Sequence, residues 1–180
     1  MGKKFKTILT LGAVISLPMI LMSVMAYVFD INESKWFGWL SFIVFIVTIA
    51  FVQRHYRINF YEGFASYGKI FGGTLLMLLI ASAIVFIYTF IFYQFIAPEQ
   101  IAKMLDMAKI NMYDQGLSSS QITKSVDFMT KFVFTPIALS ITVLFSTFIQ
   151  GLLIALITSI FTKKNADGFT EAMKGVENEQ

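Results

Sequence analysis

Residues 70–96 read IFGGTLLMLLIASAIVFIYTFIFYQFI, a run of 27 positions without Asp, Glu, Lys, Arg or His. At a rise of ~1.5 Å per residue such a run outreaches the ~30 Å hydrocarbon core of a bilayer, so as a helix it crosses with tilt or projects into the interface. Tyr88, Tyr93 and Gln94 suit a projecting end. Working outward, three more uncharged runs cover residues 8–29, 36–52 and 134–161. The 17 residues of the second sit at the short end of the usual range of about 17–25. A chain inside hydrocarbon must satisfy its own backbone polar groups, and four separate runs of this length do so as helices. The expected class is an all-α membrane protein with four transmembrane helices, one membrane domain over residues 1–165 and a polar tail over 166–180.

Composition agrees. Hydrophobic residues make up 57% of the 180, against 14% charged, which is more apolar and less charged than ordinary soluble domains. There is no cysteine, so disulfides and thiolate chemistry are excluded. The net charge of +3 is small and its lysines flank apolar runs, which excludes the basic stripe of a nucleic-acid binder.

Those lysines set an orientation instead. Lys3, Lys4, Lys6, Arg54, Arg57, Lys69, Lys163, Lys164 and Lys174 fall on one side of the four spans. Lys35, Lys103, Lys109, Lys124 and Lys131 fall on the other, and the last four are offset by Glu99, Asp106, Asp114 and Asp127. The positive-inside rule then places both termini in the cytoplasm. The first span also resembles a signal peptide with an acceptable cut after Ala26, but it is longer than the usual apolar region of about 7–15 residues and continues to Phe29. An uncleaved anchor is expected.

Between spans three and four, residues 98–131 read as an extracytoplasmic amphipathic helical hairpin turning at Gly116. Ile101, Leu105, Ala108 and Met112 recur at helical spacing, as do Ile122, Val126, Met129 and Val133. Pro98 suits a helix start, and Ser118 with Gln121 forms a capping-box pattern. Such a hairpin satisfies both faces by lying in the headgroup layer or by self-packing, and it could also dock a periplasmic or other external partner. Pro136 is expected to kink or begin the fourth span.

Residues 63–69, GFASYGK, match seven positions of a phosphate-binding loop, but Ile70 stands where the magnesium-binding hydroxyl belongs and no strand is expected before it. Turning glycines and an interfacial Lys69 are the better account. His55 lies between Arg54 and Arg57, two cations that disfavour both its protonation and a metal ion, so no metal or cofactor is expected there. None of the spans carries Asp, Glu, Lys, Arg or His, which argues against proton relays and intramembrane catalysis. The mid-membrane polar candidates are Gln150, Thr147 and Ser146, expected to hydrogen-bond across helices or to line a pore. Arg54, Arg57 and Lys69 are candidate lipid-headgroup contacts. Gly12 with Ser16 and Gly151 with Ala155 are small-xxx-small helix-packing seams. No catalytic signature is present, and a non-enzymatic protein is expected.

The order of features, from the Lys-rich start through Gly63-Phe64-Ala65-Ser66-Tyr67-Gly68-Lys69, Phe95-Ile96-Ala97-Pro98-Glu99 and the Lys163-Lys164 stop, resembles the uncharacterised membrane family DUF4199. The resemblance covers about residues 3 to 165. It implies four helices in a bacterial inner membrane and no established activity. Members more often carry aspartate before the proline, where this chain has Ala97 and so lacks that N-cap. The leading function expected is partner binding or self-assembly in the bilayer, the others being a channel or transporter subunit and a lipid-binding protein.

Overall fold

A computed structural model of the chain describes residues 2–31 and 34–164; the expected polar tail and Lys174 lie outside the described residues. The elements are α1 (Lys3–Val28), α2 (Lys35–Phe60), α3 (Tyr67–Ile91), α4 (Glu99–Asp114), α5 (Ser119–Phe128) and α6 (Pro136–Thr162). Two of them end in single π turns, Phe92–Ile96 after α3 and Met129–Val133 after α5. Among the described residues the only extended pairing is one antiparallel bridge between Ala65 and Lys164.

Four of these helices, α1, α2, α3 with its π turn, and α6, are long and apolar enough to cross a membrane. Their surfaces explain why they do not behave as ordinary surface helices. Leu9, Leu17, Leu21, Val47, Phe51, Leu79, Ile87, Leu153 and Phe161 are all exposed, so the helices are apolar around most of their circumference. That is the pattern of a helix solvated by lipid.

The chain divides into two compact units, one made of residues up to Ala81 with those from Phe148 onward, the other of Ser82–Thr147. The first contains the main core. Ile8, Leu11 and Ile15 of α1 meet Phe45, Ile49, Val52 and Tyr56 of α2, Met77, Leu78 and Ala81 of α3, and Ile154 and Ala155 of α6. The α1 and α2 sets repeat at three- and four-residue intervals, the spacing of one helical stripe. Glycines let the helices close on one another: a Cβ at Gly12 would lie 2.8 Å from Ile80 Cβ and from the Met77 carbonyl oxygen, and one at Gly151 would strike Leu78. At Gly73 the space of a side chain is filled by the Tyr56 ring.

In the second unit, α4 and α5 touch and are joined through Gly116, whose φ of +77° suits a residue without Cβ. Ser118 caps α5 as expected: its Oγ accepts from the Gln121 N–H at 3.4 Å, and its own N–H donates to Gln121 Oε1 at 3.0 Å. Pro136 begins α6 and does not kink it. Each π turn precedes a proline, with Ala97 N–H donating to the Phe92 carbonyl and Phe134 N–H to the Met129 carbonyl, both at 2.8 Å. A proline clashes with helical geometry in the residue before it, which accounts for the stop at Ala97 before Pro98; the second π turn is capped by Phe134, two residues short of Pro136.

Candidate functional site

The sequence places Gln53 just past an apolar run, where the amide would be expected at the headgroups. Instead α2 continues eight residues beyond Val52 to Phe60, and Gln53 turns inward to become fully buried. Burial of an amide requires partners for both its ends. Nε2 donates to Ser159 Oγ at 3.0 Å and lies 3.5 Å from the Ala155 carbonyl oxygen, while Oε1 accepts from Thr162 Oγ1 at 3.0 Å. Ala155, Ser159 and Thr162 recur on one face of α6, so a single side chain clasps two turns of it.

One turn further along α2, Arg57 reaches the end of α6. Its guanidinium donates from Nη1 to the carbonyl oxygen of Thr162 at 2.6 Å. Thr162 is the last helical residue, and its carbonyl is one that the helix cannot satisfy itself. A cation there also complements the negative end of the helix dipole. Ala65 and Lys164 exchange backbone hydrogen bonds at 2.8 and 3.1 Å, and Tyr67 Oη donates to the Leu156 carbonyl at 3.3 Å. The end of α6 is thus tied to α2 and to the segment that leads into α3.

The expected mid-membrane polar group is rearranged. Thr147 is buried, whereas Gln150 and Ser146 are exposed. The Gln150 side chain makes no hydrogen bond to any described residue, so the amide that bridges helices within the chain is Gln53 and not Gln150. The reason is angular. Successive residues of a helix are ~100° apart, and the arc of α6 turned inward carries Thr147, Gly151, Ile154, Ala155, Thr158 and Ser159. Gln150 falls at the edge of that arc. It opens onto a groove of about 550 Å³ lined by Phe42, Ile46, Leu153, Ile154, Ile157 and Thr158.

Of the candidate headgroup contacts, Arg54 and Lys69 are exposed and Arg57 is half-buried on the α6 terminus. Lys69 Nζ stands 5.6 Å from the centre of the Tyr61 ring. Residues 63–69 do not form a phosphate cradle: Gly63 turns the chain at a φ of +90°, and Gly68 and Lys69 lie in the first turn of α3. His55 is exposed and stacked on Phe51. Among the described residues no group of three metal-ligating side chains converges.

Both packing seams proposed from the sequence are occupied within the chain. Gly12 closes on Ile80 and Met77, and Gly151 closes on Leu78 and Phe45. Gln53 was obscured by its position at a run's end. The helical spacing of Gln53 and Arg57, with Phe45, Ile49, Val52 and Tyr56 before and between them, is the signal that α2 keeps one buried stripe past the last uncharged residue.

These features define a class: a helical protein with four apolar helices of membrane length, whose polar side chains are used to clasp helices together. The particular family follows from comparison with family models. The model described as "Protein of unknown function (DUF4199)" matches residues 10–164, and the chain belongs to that family. Comparisons with curated proteins and with solved structures return no match.

Proposed function

We propose that this protein is a non-enzymatic, self-assembling component of a bacterial cytoplasmic membrane, with both termini on the cytoplasmic side and α4 and α5 on the opposite side. The orientation is supported by the lysines and arginines that flank the spans, as the positive-inside rule requires. Self-assembly is supported above all by one observation, the amide of Gln150, which has no hydrogen-bond partner among the described residues.

Gln150 lies 14 residues from Pro136 and 12 from Thr162, at the middle of α6. In a bilayer that position is hydrocarbon, where an exposed amide has neither water nor headgroup to bond. An amide is self-complementary, because its carbonyl accepts and its NH2 donates. Two copies related by a twofold axis through this face would satisfy each other's Gln150, and the groove formed by Phe42, Ile46 and Ile157 would take apolar side chains of the second copy. The small-residue seams are used inside the chain, so it is this amide that favours association between chains.

Energy transfer between donor- and acceptor-labelled chains in liposomes tests the reading. Transfer should rise with the protein-to-lipid ratio, and Gln150→Leu should weaken association about three- to thirtyfold, the effect of losing a reciprocal amide pair worth ~0.6–2 kcal/mol in total. Transfer identical to that of randomly distributed monomers would reject it.

A further inference from the structure

At one end of the first unit, basic and aromatic residues from three separate segments are arranged in pairs. Lys4 Nζ of α1 lies 6.0 Å from the centre of the Phe60 ring, Lys69 Nζ of α3 5.6 Å from Tyr61, and Lys164 Nζ beyond α6 5.2 Å from Phe64. The rings do not hang free. Phe60 stacks on the buried Tyr56 with centroids 5.3 Å apart, and Tyr61 meets both Tyr56 and Phe60 edge-on at 5.3 and 5.0 Å. Phe64 is half-buried, its N–H donates to the Tyr61 carbonyl at 2.9 Å, and it precedes the Ala65–Lys164 backbone bridge. Lys4 and Lys69 therefore stand beside an anchored aromatic cluster, and Lys164 beside Phe64 next to the backbone bridge.

A ring face attracts an ammonium but accepts none of its hydrogen bonds in the strong sense, so each lysine keeps donors and charge for a further partner. All three lysines are exposed. Among the described residues that build this end, Glu62 is the sole carboxylate, and it already takes part in an interaction of its own. Arg57 is committed to the Thr162 carbonyl. Among the described residues the positive charge of Lys4, Lys69 and Lys164 thus lacks a matching carboxylate.

We infer that Lys4, Lys69 and Lys164 form a site for the phosphate of an anionic phospholipid headgroup, with Phe60, Tyr61 and Phe64 serving to position the three ammonium groups. The ligand chemistry is a phosphate-bearing anion. The lipid source is favoured because the cluster adjoins four helices of membrane length and its aromatic members can enter the acyl boundary.

The test uses the full chain in nanodiscs of phosphatidylcholine doped with phosphatidylglycerol, followed by native mass spectrometry of the released protein. The wild type should retain phosphatidylglycerol in preference to phosphatidylcholine. Each of Lys4→Gln, Lys69→Gln and Lys164→Gln should reduce that preference about fivefold. The triple Lys→Arg variant should keep it, which separates loss of charge from loss of folding, and a triple glutamine variant at Lys103, Lys109 and Lys124 should also keep it. An excess of inorganic phosphate should not displace the lipid. Equal retention of the two lipids by the wild type, an unchanged preference in the Lys4, Lys69 and Lys164 glutamine variants, or displacement by inorganic phosphate would overturn the assignment.

Discussion

At the scale of the residue, two side chains of the same type have opposite fates. Gln53 and Gln150 are both amides next to apolar sequence, and only the stripe to which each belongs decides whether it is paired. Gln53 extends the buried series Phe45, Ile49, Val52 and bonds Ser159 and Thr162; Gln150 falls off the buried arc of α6. Replacing Gln53 with Leu should lower stability by about 1 kcal/mol, because Thr162 Oγ1 retains its bond to the Thr158 carbonyl while Ser159 loses its donor. Chemical unfolding in detergent micelles measures this. Glycine gives a sharper pair. Gly73→Ala places a methyl group in the Tyr56 ring and should cost about 1–3 kcal/mol. Gly72→Ala meets open space and should be neutral or stabilising by up to about 1 kcal/mol. Equal effects in the same unfolding assay would mean that the Tyr56 packing is misplaced.

At the scale of the element, the sequence reveals that the four membrane-length helices exist more clearly than it reveals where they end. Uncharged runs locate them, since charge is what hydrocarbon rejects. Arg54 and Arg57 close the second run at Val52, yet α2 continues to Phe60, because an amphipathic last turn can leave the hydrocarbon without ceasing to be helix. In the same way α1 begins at Lys3, ahead of the apolar run that starts at Ile8. The π turns were not legible: Pro98 and Pro136 announce a break, but not that the preceding turn widens to an i to i−5 bond. The capping box was legible because it is purely local. Ser118→Ala should raise amide hydrogen exchange in the first turn of α5 about fivefold, from the loss of ~1 kcal/mol of capping, and leave α4 unaffected. No change in α5 would show that the cap contributes nothing there.

At the scale of the whole molecule, membership of the family over residues 10–164 agrees with the resemblance carried by the glycines, aromatics and Pro98, but neither supplies an activity. What the structure changes is the basis for expecting assembly. The small-xxx-small seams at Gly12 and Gly151 are spent on packing α1, α2, α3 and α6 within one chain. No inspection of spacing could have distinguished an internal seam from an external one, since both use the same residues. The reading of a channel is likewise altered, because Thr147 is buried while Gln150 and Ser146 are exposed, and the three do not form one polar lining on the chain's surface.

The central claim is that α6 meets a second copy of itself at Gln150, and the absence of native cysteine makes it directly testable. Single cysteines at Leu153 and Ile157, which border Gln150 in the groove, and at Leu17 and Leu21, exposed on α1, would be oxidised in intact membranes and scored for covalent dimers. Leu153→Cys and Ile157→Cys should form dimers that weaken when Gln150→Leu is added, and the α1 variants should stay monomeric. Dimers formed through α1 alone, or formed equally at all four positions, would contradict the account.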